Sequence, residues 1–90
     1  MRKVTEFIVG KFLLQEPATK GNSHCDGNAL FLHGNKIAEW RDHRIWITDA
    51  GWDSTTTKER LNGIPGVRVY HHRKELYLND KPWDGDWIQV

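Results

Sequence analysis

The stretch ALFLHGNKIAEWRDHRIWIT, residues 29 to 48, narrows the fold most. In it apolar residues alternate around two polar dipeptides, Gly34-Asn35 and Asp42-His43, each short enough to be a hairpin turn. With Gly34-Asn35 as the turn, Leu32 faces Ile37, Phe31 faces Ala38 and Ala29 faces Trp40. With Asp42-His43 as the next turn, Trp40 faces Ile45 and Ala38 faces Ile47. Ala29, Phe31, Ala38, Trp40, Ile45 and Ile47 then share the core face of a three-stranded meander. The opposite face carries Leu30, Leu32, Ile37, Glu39, Trp46 and Thr48, and is too apolar to be left wet. On this reading Leu30, Leu32, Ile37 and Trp46 form an interface for a protein partner or for a second copy in a homodimer.

The rest of the chain adds a few elements. Val4, Phe7 and Ile8 lie at helical spacing with Gly10 behind them, which predicts a short amphipathic helix over 3–9. EPATKGNSHCDGN reads as a loop that ends in an Asp26-Gly27 turn. Thr56 and Glu59 fit a capping box and Ser54 competes as the cap; with Gly63 and Pro65 beyond, they predict a two-turn helix docked through Leu61 and Ile64, with Trp52 nearby. VRVYHHRKELYLN predicts a second hairpin turning at Arg73-Lys74, in which Val67, Val69, Leu76 and Leu78 face inward. Further turns are placed at Asp80-Lys81 and Asp84-Gly85, Pro82 at an edge, and a terminal strand around Trp87 to Val90. ALFLHGNKIAEW and ELYLNDKPWDG look like two uses of one hairpin solution. The expected fold is α+β over a single domain, residues 1–90: a short N-terminal helix, an antiparallel β meander, a two-turn helix and a second β hairpin.

Composition limits the function classes. Thirteen Lys and Arg against twelve Asp and Glu give a net charge of +1, so any affinity for a polyanion must be local. A lone cysteine excludes an internal disulfide and points to a reducing compartment. The basic-apolar start is broken by Glu6 and Lys11 and reads as neither signal nor membrane anchor.

Four groups of residues can carry chemistry. Arg68, Tyr70, His72 and Tyr77, with Arg73 and Lys74 at the turn, interleave charge and rings on the outward face of the second hairpin. That combination suits a protein-binding hot spot, or stacking on single-stranded bases with phosphates paired alongside. Ser54, Thr56 and Lys58 could hold an anion at a helix start, although capping accounts for most of these residues. His24, Cys25, Asp26 and His33 have metal-capable side chains, but alternation along a strand lets only His24 and His33 converge, so no metal site or cofactor is expected. Asp84 and Asp86 flank a glycine as turn residues do, and Ser54 lacks a nucleophile elbow and a base, so an enzyme is not expected.

Leu32-His33-Gly34 leading to Ile37-Ala38, and Ala50-Gly51-Trp52 leading through Ser54, Thr56, Thr57, Arg60, Leu61 and Asn62, resemble a family of small uncharacterised proteins encoded by tailed bacteriophages. The turn from Arg41 to Arg44 lacks the glycine such relatives would carry. The resemblance implies no known activity and no catalytic residues. It implies a non-enzymatic phage accessory protein in the cytoplasm of the infected host cell, binding a host macromolecule in a host-takeover or anti-defence role. A host protein is the leading partner; self-association and single-stranded nucleic acid are the alternatives, and no membrane partner is expected.

Overall fold

The computed structural model describes residues 3–51 and 54–90, so the expectation for Trp52 lies outside the described residues. The first helix, α1, spans Lys3–Leu13 and buries Thr5, Ile8, Val9 and Phe12 along one stripe. It runs through Gly10, where the sequence had predicted a stop. A mid-helix glycine costs about 1 kcal/mol, whereas full burial of Phe12 contributes roughly 2–3 kcal/mol. Continuing the helix is therefore favoured. Phe12 is fully buried and its carbonyl accepts from Trp40 Nε1 at 3.0 Å.

Six strands form the large sheet: β1 (Pro17–Lys20), β2 (Ser23–Asp26), β3 (Ala29–Leu32), β4 (Asn35–Arg41), β5 (Arg44–Ile47) and a terminal strand, Ile88–Gln89, numbered β9 below. Their order is β1-β2-β3-β4-β5-β9, with every pairing antiparallel. The segment read as a loop is thus the β1–β2 hairpin. Its Pro, Gly and Asn content hid the strands, because Gly21 and Asn22 make the turn and Pro17 opens an edge strand, where a proline is tolerated.

The β4–β5 register is the predicted one, with Trp40 opposite Ile45 and Ala38 opposite Ile47. The β3–β4 register is not. The turn is His33-Gly34, with φ of 51° and 81°, so Leu32 pairs with Asn35 and Phe31 with Lys36. Left-handed geometry at both central positions favours glycine at the second, and this turn chemistry overrides the predicted alignment. A bulge at Ile37 then resets β4, so that Leu30 pairs with Ala38. The one-residue shift turns β3 over: Leu30, Leu32 and Ile37 are buried at 0%, 3% and 1%, and Phe31 lies on the outer face. The expected interface of Leu30, Leu32 and Ile37 is therefore corrected to core.

The second helix, α2, spans Thr55–Asn62. Ser54 is its N-cap, Oγ accepting from Thr57 N at 3.1 Å, so the Thr56–Glu59 capping box is not used. Leu61 and Ile64 dock as predicted. Gly63 ends the helix against α1, where a Cβ would stand 2.6 Å from Thr5 Cγ2. Arg60, 2% exposed, ties the layers together: its guanidinium donates to Ser23 Oγ at 2.9 Å and Thr5 Oγ1 at 2.7 Å. A buried cation is tolerated only with such partners.

The small sheet holds β6 (Val69–His72), β7 (Glu75–Leu78) and β8 (Lys81–Pro82) in that order, and the strand that follows is β9. The Arg73-Lys74 turn and the Val69–Leu78 and Tyr70–Tyr77 pairs are as predicted. The next turn is Asn79-Asp80 rather than Asp80-Lys81, both residues having positive φ, which repeats the His33-Gly34 solution. Pro82 lies on an edge strand, as expected. Val67, Val69 and Leu78 join Ile8, Phe12, Leu30 and Ile47 in one core, with Leu76 and Trp83 half-buried beside it. The sheets are also clasped through Gly85, whose carbonyl accepts from Asp49 N at 3.0 Å and Thr48 Oγ1 at 2.5 Å.

Candidate binding face of the small sheet

Alternation along β6 and β7 sends Val69 and Leu78 into the core and Tyr70, Tyr77, His72 and Glu75 to the other side. Tyr70 and Tyr77 are direct cross-strand partners, and their rings stack at 5.5 Å and 13°. The Arg68 guanidinium carbon lies 5.2 Å from the centroid of the Tyr70 ring, over it, and His72 meets Tyr77 edge-on at 6.4 Å. Pro82 extends the row, being the pairing partner of Tyr77 on β8.

The phenols are anchored as well as the rings. Tyr70 Oη donates to Asp80 Oδ1 at 2.7 Å, and Tyr77 Oη donates to Glu75 Oε2 at 3.2 Å. Each carboxylate favours the neutral phenol, so both tyrosines titrate above their ordinary value, Tyr70 through its bond to Asp80 and Tyr77 through its bond to Glu75. On the hairpin that carries the pair, Arg68, Arg73 and Lys74 stand against Glu75. Among the described residues none of these three cations is in an ion pair.

The edge of this sheet is protected. The Asn62 side chain reaches from α2 to donate to Val69 O at 3.0 Å and accept from Val69 N at 2.6 Å, copying a neighbouring strand. Lys58 donates to His71 Nδ1 at 2.5 Å across the same seam.

The other predicted residues fall elsewhere. Ser54 Oγ is used by the cap and by Thr57 Oγ1, Thr56 is half-buried and Lys58 turns to β6, so the three do not gather into an open anion cradle. Trp46 stays on the outer face of the large sheet, without the leucines expected beside it. There it shares Arg41 with Trp87, whose ring centroids lie 4.9 and 4.7 Å from the guanidinium carbon, and Glu39 binds the same guanidinium at 2.8 Å. This stack was missed because Trp46 and Trp87 are far apart in sequence. His24 bonds Thr19 and His33 bonds Asn22, while Cys25 is buried, its thiol pushed above the ordinary value by that burial. Among the described residues no three metal-capable groups converge. Asp84 serves its turn, Oδ1 accepting from Asp86 N at 3.0 Å.

The described helices include none long and apolar enough to cross a membrane. No curated protein and no solved structure matches the chain. A family model described as Kyanoviridae Gp96 protein matches residues 1–89.

Proposed function

The chain belongs to the Kyanoviridae Gp96 family of phage proteins, and we propose that it is a non-enzymatic accessory protein that binds a host protein in the cytoplasm of the infected cell, through Arg68, Tyr70, His72, Arg73, Lys74 and Tyr77. A host-takeover or anti-defence role fits such an activity. The observation that carries the reading is the stacked, doubly anchored tyrosine pair. Its rings are already packed in place, so docking costs little side-chain entropy. Tyrosine and arginine in such an arrangement are what dominates protein-binding hot spots.

The same geometry weighs against base stacking. The facing sides of the two rings cover each other and Arg68 packs over Tyr70, while Asp80 and Glu75 hold carboxylates at the phenols, which repel phosphates. The excess of cations on the hairpin is what favours the second reading, single-stranded nucleic acid. Capture from infected-cell lysate, with and without nuclease, separates the two. A host protein retained after nuclease, and lost with Tyr77→Ala or Arg68→Ala, is the expected result. Capture that vanishes with nuclease and falls steeply as salt rises would replace it with the nucleic-acid reading.

A further inference from the structure

Between β7, β8 and β9 the two sheets leave an open groove of about 700 Å³ lined by Glu75, Leu76, Pro82, Trp83, Asp84 and Ile88. A narrower recess of about 260 Å³ shares Pro82, Trp83 and Ile88 with it and continues along Gln89 and Val90. Ile88 and Val90 remain 39% and 38% exposed. The floor is held in place from both ends: Trp83 N donates to Leu76 O at 3.0 Å, Trp83 Nε1 donates to Asp86 O at 2.9 Å, and Gly85 is clasped by Thr48 and Asp49. Trp83 has thus spent its only polar group, and what it offers the groove is its ring.

The two compartments differ in charge. Both titratable groups of the wide groove are acids, Glu75 and Asp84, and the cation of the narrow recess is Lys81. A ring flanked by two carboxylates attracts a guanidinium or ammonium, by cation–π contact and by charge. The recess next to it, with Leu78, Pro82, Ile88 and Val90 among its walls, takes an aliphatic side chain. Along the same wall runs β9, which pairs with β5 on one side and, among the described residues, with no strand on the other. An open sheet edge accepts an extended segment by backbone pairing. These three features coincide at Trp83 and Ile88.

We propose that this groove docks an extended segment of a partner protein, laid along β9, with an aliphatic side chain in the recess and an arginine or lysine over Trp83 between Glu75 and Asp84. The groove shares Glu75 and Pro82 with the tyrosine face, Glu75 also accepting from Tyr77 Oη, while Trp83, Asp84 and Ile88 belong to the groove alone. In an extended segment, side chains two residues apart share a side, so an aliphatic residue followed two positions later by a basic one fits the two compartments.

The test uses the ¹⁵N-labelled full chain and short synthetic peptides, one repeating Val-Ser-Arg-Ser (the valine–arginine peptide) and one repeating Val-Ser-Glu-Ser (the valine–glutamate peptide), so that the valine and the charged residue stand two positions apart. The valine–arginine peptide is expected to shift the Trp83 indole and the Asp84 and Ile88 amides saturably, and the valine–glutamate peptide to leave them in place. Glu75→Gln combined with Asp84→Asn keeps each hydrogen bond and removes both charges; it should weaken the valine–arginine peptide by about five- to tenfold. Equal binding of the two peptides, shifts away from Trp83, or no effect of the double variant would overturn the proposal. So would concentration-dependent shifts of the same signals without peptide, which would make a second copy the occupant.

Discussion

Phe12 and Trp40 meet at 5.9 Å beneath α1, against the large sheet, and Tyr70 and Tyr77 meet at 5.5 Å on the small one. The first contact is sealed: Phe12 is fully buried, and the only polar group of Trp40 is spent on the Phe12 carbonyl. The second is open, with half-exposed rings and hydroxyls held by surface carboxylates. Aromatic pairs of nearly equal spacing therefore serve different ends, one contributing stability and the other a rigid display. Burial sets the difference, because area removed from water is what a core pair contributes to folding.

Substitutions can break that contrast or sharpen it. The largest effect is expected at Phe12→Ala, which leaves a cavity beneath α1 and should cost about 3–5 kcal/mol in urea unfolding. Loss of less than about 1 kcal/mol would show that the large sheet does not carry the fold. Next comes Asn62→Ala, which strips Val69 of both edge bonds. It should cost roughly 1–2 kcal/mol and speed hydrogen exchange at the Val69 amide while leaving Ile47 protected. Tyr77→Ala should change stability by no more than about 1 kcal/mol and yet abolish retention of the host partner. A large stability loss there would make the tyrosine pair structural.

The smallest effect concerns titration. The folded-state values of Tyr70 and Tyr77 lie above the ordinary 10.0. The anchoring of the neutral phenols is then fully present below pH 10 and is lost as pH rises through the folded-state values. Asp80→Asn should lower the Tyr70 midpoint in an ultraviolet absorbance titration and leave Tyr77 in place, since Tyr77 is governed by Glu75. An unchanged Tyr70 midpoint would refute the bond to Asp80.

The β6–β7 hairpin was legible in the sequence, because Arg73-Lys74 set the turn and strict alternation then decided which residues face outward, whereas the turn into β8 fell one residue earlier than expected. The same method failed at β3. Gly34 serves the second turn position rather than the first, and a bulge at Ile37 compensates on β4 but not on β3. Alternation cannot detect a bulge, and a proposed interface vanished into the core as a result. β1 and β2 were hidden by turn residues that belong to their own hairpin, and α1 outran its glycine because Phe12 lies beyond it. Asn62 and the Trp46–Arg41–Trp87 stack depend on contacts between distant parts of the chain, which local spacing does not encode.

At the tip of the β6–β7 hairpin, Arg73 and Lys74 both occupy the left-handed region, at φ of 53° and 68°, where asparagine followed by glycine would rest more easily. An Asn-Gly replacement would make a more comfortable loop and remove two of the three positive charges of the tyrosine hairpin, leaving Arg68. Backbone ease and ligand recognition therefore compete for the same two residues. A laboratory selection for heat resistance alone would be drawn to this tip, and its winners should be the clones that bind worst.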